Sequence, residues 1–163
     1  MVSAQDREKL YHFIRNRTQG VIATVCPDDK PEAALMDIAV TTDLEIIFET
    51  TDQTRKFANL TARPAVSFVV GWGEGETLQY DGTVHLLAGT ALEKMQQLYL
   101  ATFPQKASHP NWPGNYYFLA RPSWIRYSDY RMPRKIEEFR FDADISASPK
   151  KGWWNKLVGM HNA

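Results

Sequence analysis

The chain has 163 residues, 44% hydrophobic and 23% charged, enough apolar material for one core without covalent staples. Lys plus Arg equals Asp plus Glu, 19 each, which excludes the global basic field that captures nucleic acid. A single cysteine, Cys26, excludes an internal disulfide and a paired-cysteine metal site.

The charged stretch from Met1 to Phe13 lacks the apolar core of a secretory signal. No run approaches the roughly 18 apolar residues of a membrane span. These features predict a soluble, cytoplasmic protein. Ser3 with Asp6 caps a helix whose Leu10, Phe13 and Ile14 fall at helical spacing, with Gly20 ending the segment. Val21 to Val25 reads as a strand by its branched residues, and Pro27-Asp28-Asp29-Lys30-Pro31 is turn chemistry. Ala33 to Val40 returns as a second strand; Thr41-Thr42-Asp43 turns again into a third, Leu44 to Thr50. Three strands joined by short polar turns predict an antiparallel meander.

Thr54 opens a short helix with Phe57, Ala58 and Leu60 on one side, and Pro64 stops it. Ala65 to Trp72 is a mostly apolar strand, followed by the glycine-rich loop 71–75 and a long strand from about Thr77 to Leu87. Gly82 within that strand marks a bulge or bend of the kind barrel closure requires. Leu92, Met95, Leu98, Tyr99 and Phe103 mark another amphipathic helix. Pro104 to Gly114 is a proline-rich loop; Tyr116–Ala120, Trp124–Tyr127 and Lys135–Phe141 are further strands. The order predicts an α+β fold, a mostly antiparallel barrel over residues 1–141 with short flanking helices, and a separate C-terminal arm over 142–163.

The stretch most suggestive of chemistry is Phe48-Glu49-Thr50-Thr51-Asp52-Gln53-Thr54-Arg55-Lys56. Two adjacent cations in the first turn of a helix oppose the helix dipole. They become favourable where a phosphate sits against backbone N–H groups and hydroxyls. The competing reading is a solvated, capped helix with Arg55 and Lys56 in water, which residue type alone favours.

The run from Gly20 to Val70 (GVIATV, a proline-ended turn, a second strand, then IFETTDQTRKFANLTARPAVSFVV) resembles the N-terminal half of the pyridoxamine 5'-phosphate oxidase-like FMN-binding split barrels. Asp81-Gly82-Thr83-Val84 and the Leu92–Phe103 helix extend the resemblance over about residues 8–140. It implies a split barrel, a homodimer with flavin held between subunits, and FMN as cofactor. It also implies that Arg55 and Lys56 hold the FMN phosphate, with hydroxyl hydrogen bonds from Thr50 and Thr54. Leu35, Met36 and Asp37 would lie along the isoalloxazine ring, and Thr77 falls where the oxidase has a flavin-contacting glutamine.

Where the oxidase has an arginine and a lysine on its second strand, Ala34 and Ala39 stand here, and its substrate segment is replaced around Ser128 and Arg131 to Lys135. The resemblance therefore implies a flavin-dependent oxidoreductase with another small-molecule substrate. A non-catalytic flavin, deazaflavin or haem protein is the alternative. No side chain is assigned as general acid or base. His12, His85, His109 and His161 lack metal-ligand spacing. His109 to Tyr117 reads either as an aromatic roof over a ligand or as a loop anchor. The Trp153-Trp154 tail is open to a membrane surface, a partner chain or neither.

Overall fold

A computed structural model describes residues 2–108 and 112–141. The arm expected over 142–163, with Trp153-Trp154, lies outside the described residues, as does the start of the aromatic loop. Among the described residues, three helices and eight strands follow in chain order: α1 (Ala4–Arg15), β1 (Gln19–Val25), β2 (Pro31–Asp37), β3 (Ala39–Val40), β4 (Ile46–Thr51), α2 (Arg55–Ala62), β5 (Ala65–Val70), β6 (Glu76–Leu86), α3 (Gly89–Thr102), β7 (Asn115–Asp129) and β8 (Lys135–Arg140). A 3-10 turn, Pro104–Lys106, follows α3.

All ladders are antiparallel, in the order β2-β1-β5-β6-β7-β4-β3, with β8 added on β7. The two ends of this path, β2 and β3, are separated by Ile38 alone. One bent stretch of chain therefore joins both ends of the sheet, which curls into the expected split barrel. The bend is held by the Ile38 N–H donating to the Thr18 carbonyl at 2.9 Å. It corrects the meander expected from the first three strands: β1 pairs with β2 and β3 with β4, but β1 also pairs with β5 and β4 with β7. Local turns fix which strands make hairpins; they do not fix which sheet edge a bent strand reaches.

The barrel interior follows from alternation. Ile22, Phe48, Phe68, Tyr80 and Phe118 point inward and are buried, with Phe48 and Phe118 stacked at 5.5 Å and Phe68 edge-on to Tyr80. The opposite faces of β4 and β7, through Ile47, Tyr117 and Leu119, form a second apolar cluster with Tyr99 and Phe103 from the end of α3. At the N-terminus, the Ser3 hydroxyl accepts from the Asp6 N–H, as the sequence predicts.

Gly82 is the expected bulge. Asp81 faces Trp124 and Gly82 faces Pro122, so Ser123 is the extra residue on β7. A Cβ on Gly82 would lie 2.2 Å from the Arg121 carbonyl oxygen. The two strands expected at 116–120 and 124–127 are a single strand of 15 residues. Pro122 does not break it, because the ladder with β4 ends at Ala120 and the ladder with β8 begins at Trp124. On that side no neighbour requires the N–H that proline lacks.

Candidate functional site

Helix α2 begins as its sequence dictates. Thr54 is the N-cap, its hydroxyl accepting from the Phe57 N–H at 3.3 Å. The Thr54 hydroxyl also lies 2.9 Å from that of Thr50, which is buried at the end of β4. This brings Thr50, Thr54, Arg55 and Lys56 to one place. Arg55 and Lys56 line a cleft of about 90 Å³ against Ile22 and Thr24 of β1 and Glu32 and Ala34 of β2.

The two cations are not equivalent. Arg55 is exposed and pairs with Glu32 at 2.8 Å. Glu32 also accepts from the buried Asn59 amide at 2.8 Å, and Asn59 donates to the Thr24 hydroxyl as well, tying α2 to the β1–β2 hairpin. Lys56 is half-buried, and burial holds its ammonium below its ordinary pKa. Among the described residues no acceptor or carboxylate pairs with it.

A larger pocket of about 350 Å³ opens where β2 and β4 diverge. Leu35, Met36 and Asp37 line it from β2, and Glu49, Thr50 and Thr51 from β4. Thr50 thus belongs to both the pocket and the hydroxyl pair at α2. The opposite side is formed by Tyr99 near the end of α3, Lys106 of the 3-10 turn and Asn115. The Lys106 ammonium reaches Asp37 at 2.8 Å, Glu49 at 2.9 Å and the Tyr99 hydroxyl at 3.0 Å. The second oxygen of Glu49 accepts from the Asn115 amide at 2.6 Å, and that of Asp37 from Gln19 at 3.3 Å.

Burial raises the carboxyl pKa of both acids, but Lys106 with Gln19 at Asp37, and with Asn115 at Glu49, outweighs it and leaves both below their ordinary values. Burial lowers Lys106, and its hydrogen bonds to Asp37, Glu49 and Tyr99 more than reverse that. Burial pushes the Tyr99 hydroxyl further above its ordinary value.

Seven of the eight residues implied by the resemblance therefore line these two cavities or, for Thr54, join them by a hydrogen bond. Thr77 does not. It sits at the start of β6 opposite Ser128, beyond β1 and β5 from β2, and lines neither cavity. The sequence pattern does not single out Glu32, Glu49, Tyr99, Lys106 or Asn115. One signal was present for Glu49: an acid between the buried Phe48 and Thr50 in β4.

The model of the pyridoxamine 5'-phosphate oxidase family matches residues 7–129, three quarters of the chain. The chain belongs to this family. No curated protein matches it in sequence. Among solved structures, it is similar to a heme binding protein from Mycobacterium smegmatis, with a TM-score of 0.71 at 14% identity, covering 85% of this chain and 58% of that one. Campylobacter jejuni ChuZ superposes with a TM-score of 0.72 at 9% identity, covering 86% and 61%. General Stress Protein 26 from Bacillus anthracis does so at 0.66 and 20% identity, covering 83% and 98%. At these identities the likeness is one of fold, and the chain spans under two thirds of the first two proteins.

The donor set at α2 fits a phosphate monoester. It offers backbone N–H groups at a helix start, two hydroxyls, one ammonium without a counterion and one guanidinium. Residues expected along a flat ring, Leu35 to Asp37, line the adjoining pocket, whose volume is that of a small-ligand site.

Proposed function

We propose that this chain is an FMN-binding oxidoreductase acting as a homodimer on a small molecule. The observation that carries the reading is Lys56, a half-buried cation with no partner among the described residues, set beside the Thr50–Thr54 hydroxyl pair at the start of α2. A half-buried ammonium without a counterion is costly, and a phosphate dianion removes that cost. Arg55 adds a second charge once it turns from Glu32, and Leu35, Met36 and Asp37 line the space for the ring. Bound FMN would supply the electron-transfer chemistry, while the protein fixes its orientation and electrostatic surroundings.

A second copy of the chain has a surface to meet. Leu35 is 56% exposed and Val69 38% exposed, and both lie in register with Val21, giving an apolar stripe across the outer face of β2, β1 and β5. On the dimer reading, Thr77 contributes from the partner rather than from the same chain.

Haem is the alternative ligand, because the M. smegmatis neighbour is a heme binding protein. The described histidines favour FMN instead. His12 pairs with Glu8 on α1 at 3.8 Å, and neither it nor His85 lines the two cavities.

Titration of FMN into the purified chain, followed by flavin fluorescence, tests the proposal. Lys56→Ala should weaken binding by about 1.5–3 kcal/mol, tenfold or more. Equal affinity of wild type and variant would place the phosphate elsewhere, and a Soret band with no flavin uptake would favour haem.

A further inference from the structure

The pocket between β2 and β4 has an unequal supply of donors and acceptors. An ammonium has three N–H donors, and Lys106 spends all three, on Asp37, Glu49 and Tyr99. Among the described residues Lys106 is the one cation lining this pocket, and it has no donor left for an incoming anion. The two carboxylates are differently placed. Each oxygen has two acceptor positions; at Asp37 the bonds fill about one per oxygen, whereas Glu49 also accepts from the Tyr99 hydroxyl at 3.5 Å and from Tyr117. Asp37 and Glu49 are only partly exposed, at 32% and 19% of their side chains, and both are held ionised. With Lys106 they leave the pocket one negative charge in excess. Leu35 and Met36 supply an apolar wall beside these oxygens.

We infer that this pocket selects a cationic, apolar-bodied substrate, an amine or amidine, over a phosphorylated or carboxylated one. The inference rests on the proposed function, since it assigns the substrate class of that same site. Lys106 is a positioning residue here: it bridges the strands on either side of the opening and neutralises one acid while occupying no ligand position. The ligand's charged end meets the free acceptor positions of Asp37, in the field of the excess carboxylate charge.

Benzamidine, cationic at neutral pH, and benzoate have similar shape and opposite charge, and their affinities for the full-length chain can be compared by calorimetry at low salt. Benzamidinium should bind about tenfold more tightly than benzoate, an advantage reduced by added salt. Asp37→Asn with Glu49→Gln should abolish the preference. Lys106→Met should strengthen it, because both acids then stand without their cation; this single variant serves if the double variant fails to fold. Benzoate binding as well as or better than benzamidinium, or no benzamidinium binding, overturns the inference. FMN titration of the same sample separates the two claims. FMN uptake with a benzoate preference removes the substrate class alone, and a benzamidinium preference without FMN uptake removes the cofactor alone.

Discussion

Replacing Gly82 by alanine tests why the barrel bends where it does. Gly82 has no strained backbone angle; its requirement is close approach. The added Cβ would lie 2.2 Å from the Arg121 carbonyl oxygen and 2.9 Å from the Tyr80 ring, which is fully buried. An ordinary carbon–oxygen contact lies about 1 Å further out, so β6 and β7 must separate by roughly that distance at the bulge. Neither strand yields easily. Tyr80 donates its hydroxyl to the Ala120 carbonyl at 2.7 Å, and the β6–β7 ladder runs from Glu76–Asp129 to Leu86–Phe118. Overpacking of this kind costs about 1–3 kcal/mol, and contact with backbone rather than a movable side chain puts Gly82→Ala near ~3 kcal/mol. In urea that is a midpoint lowered by about 1.5 M for a slope near ~2 kcal/mol/M, or a Tm lower by about 6–12 °C. Gly73→Ala is the matched control, since nothing lies within 4 Å of its added Cβ, and it should stay within about 0.5 kcal/mol of wild type. If the two variants have the same urea midpoint, close approach at the bulge is not what selects glycine.

Two further outcomes follow from the charged groups. Glu32 holds Arg55 at 2.8 Å and on the proposed reading competes with phosphate for it, so Glu32→Gln should tighten FMN binding about threefold while keeping an acceptor for the Asn59 amide; weaker binding in the fluorescence titration would refute the competition. Lys106→Met should lower stability by about 1–2 kcal/mol at pH 7. Asp37 and Glu49 lie below their ordinary values of 3.8 and 4.5. Their stabilisation is therefore complete above those values and is lost as pH falls through the depressed ones. Thermal melts should show the gap between wild type and variant closing below about pH 4, and a gap constant from pH 7 to pH 3 would refute the ion cluster as its source.

Much of the barrel was legible because its signals are local. The Thr54 cap, the alternation of Phe48 with Ile47, the turn before Pro31 and the glycine at 82 each act through neighbours in the chain. The grouping of hydroxyls with cations was legible for the same reason: Thr50 to Lys56 is one strand end running into one helix start. One reading failed where a distant element decides. Pro122 reads as a strand break until β4 and β8 are seen to share β7 on either side of it.

The sequence by itself determined most of the strands, the caps of α1 and α2, the bulge and the clustering of hydroxyls with cations, because backbone preference and side-chain alternation operate over a few residues. Only the tertiary structure decided the charge of the larger pocket. Lys106 is 57 residues from Glu49 along the chain, and no periodicity connects them. Closing the sheet through Ile38 brings Asp37 beside Glu49, packing α3 on the outer face of β4 delivers Lys106 to both, and the excess of carboxylate left over is what gives the pocket its sign.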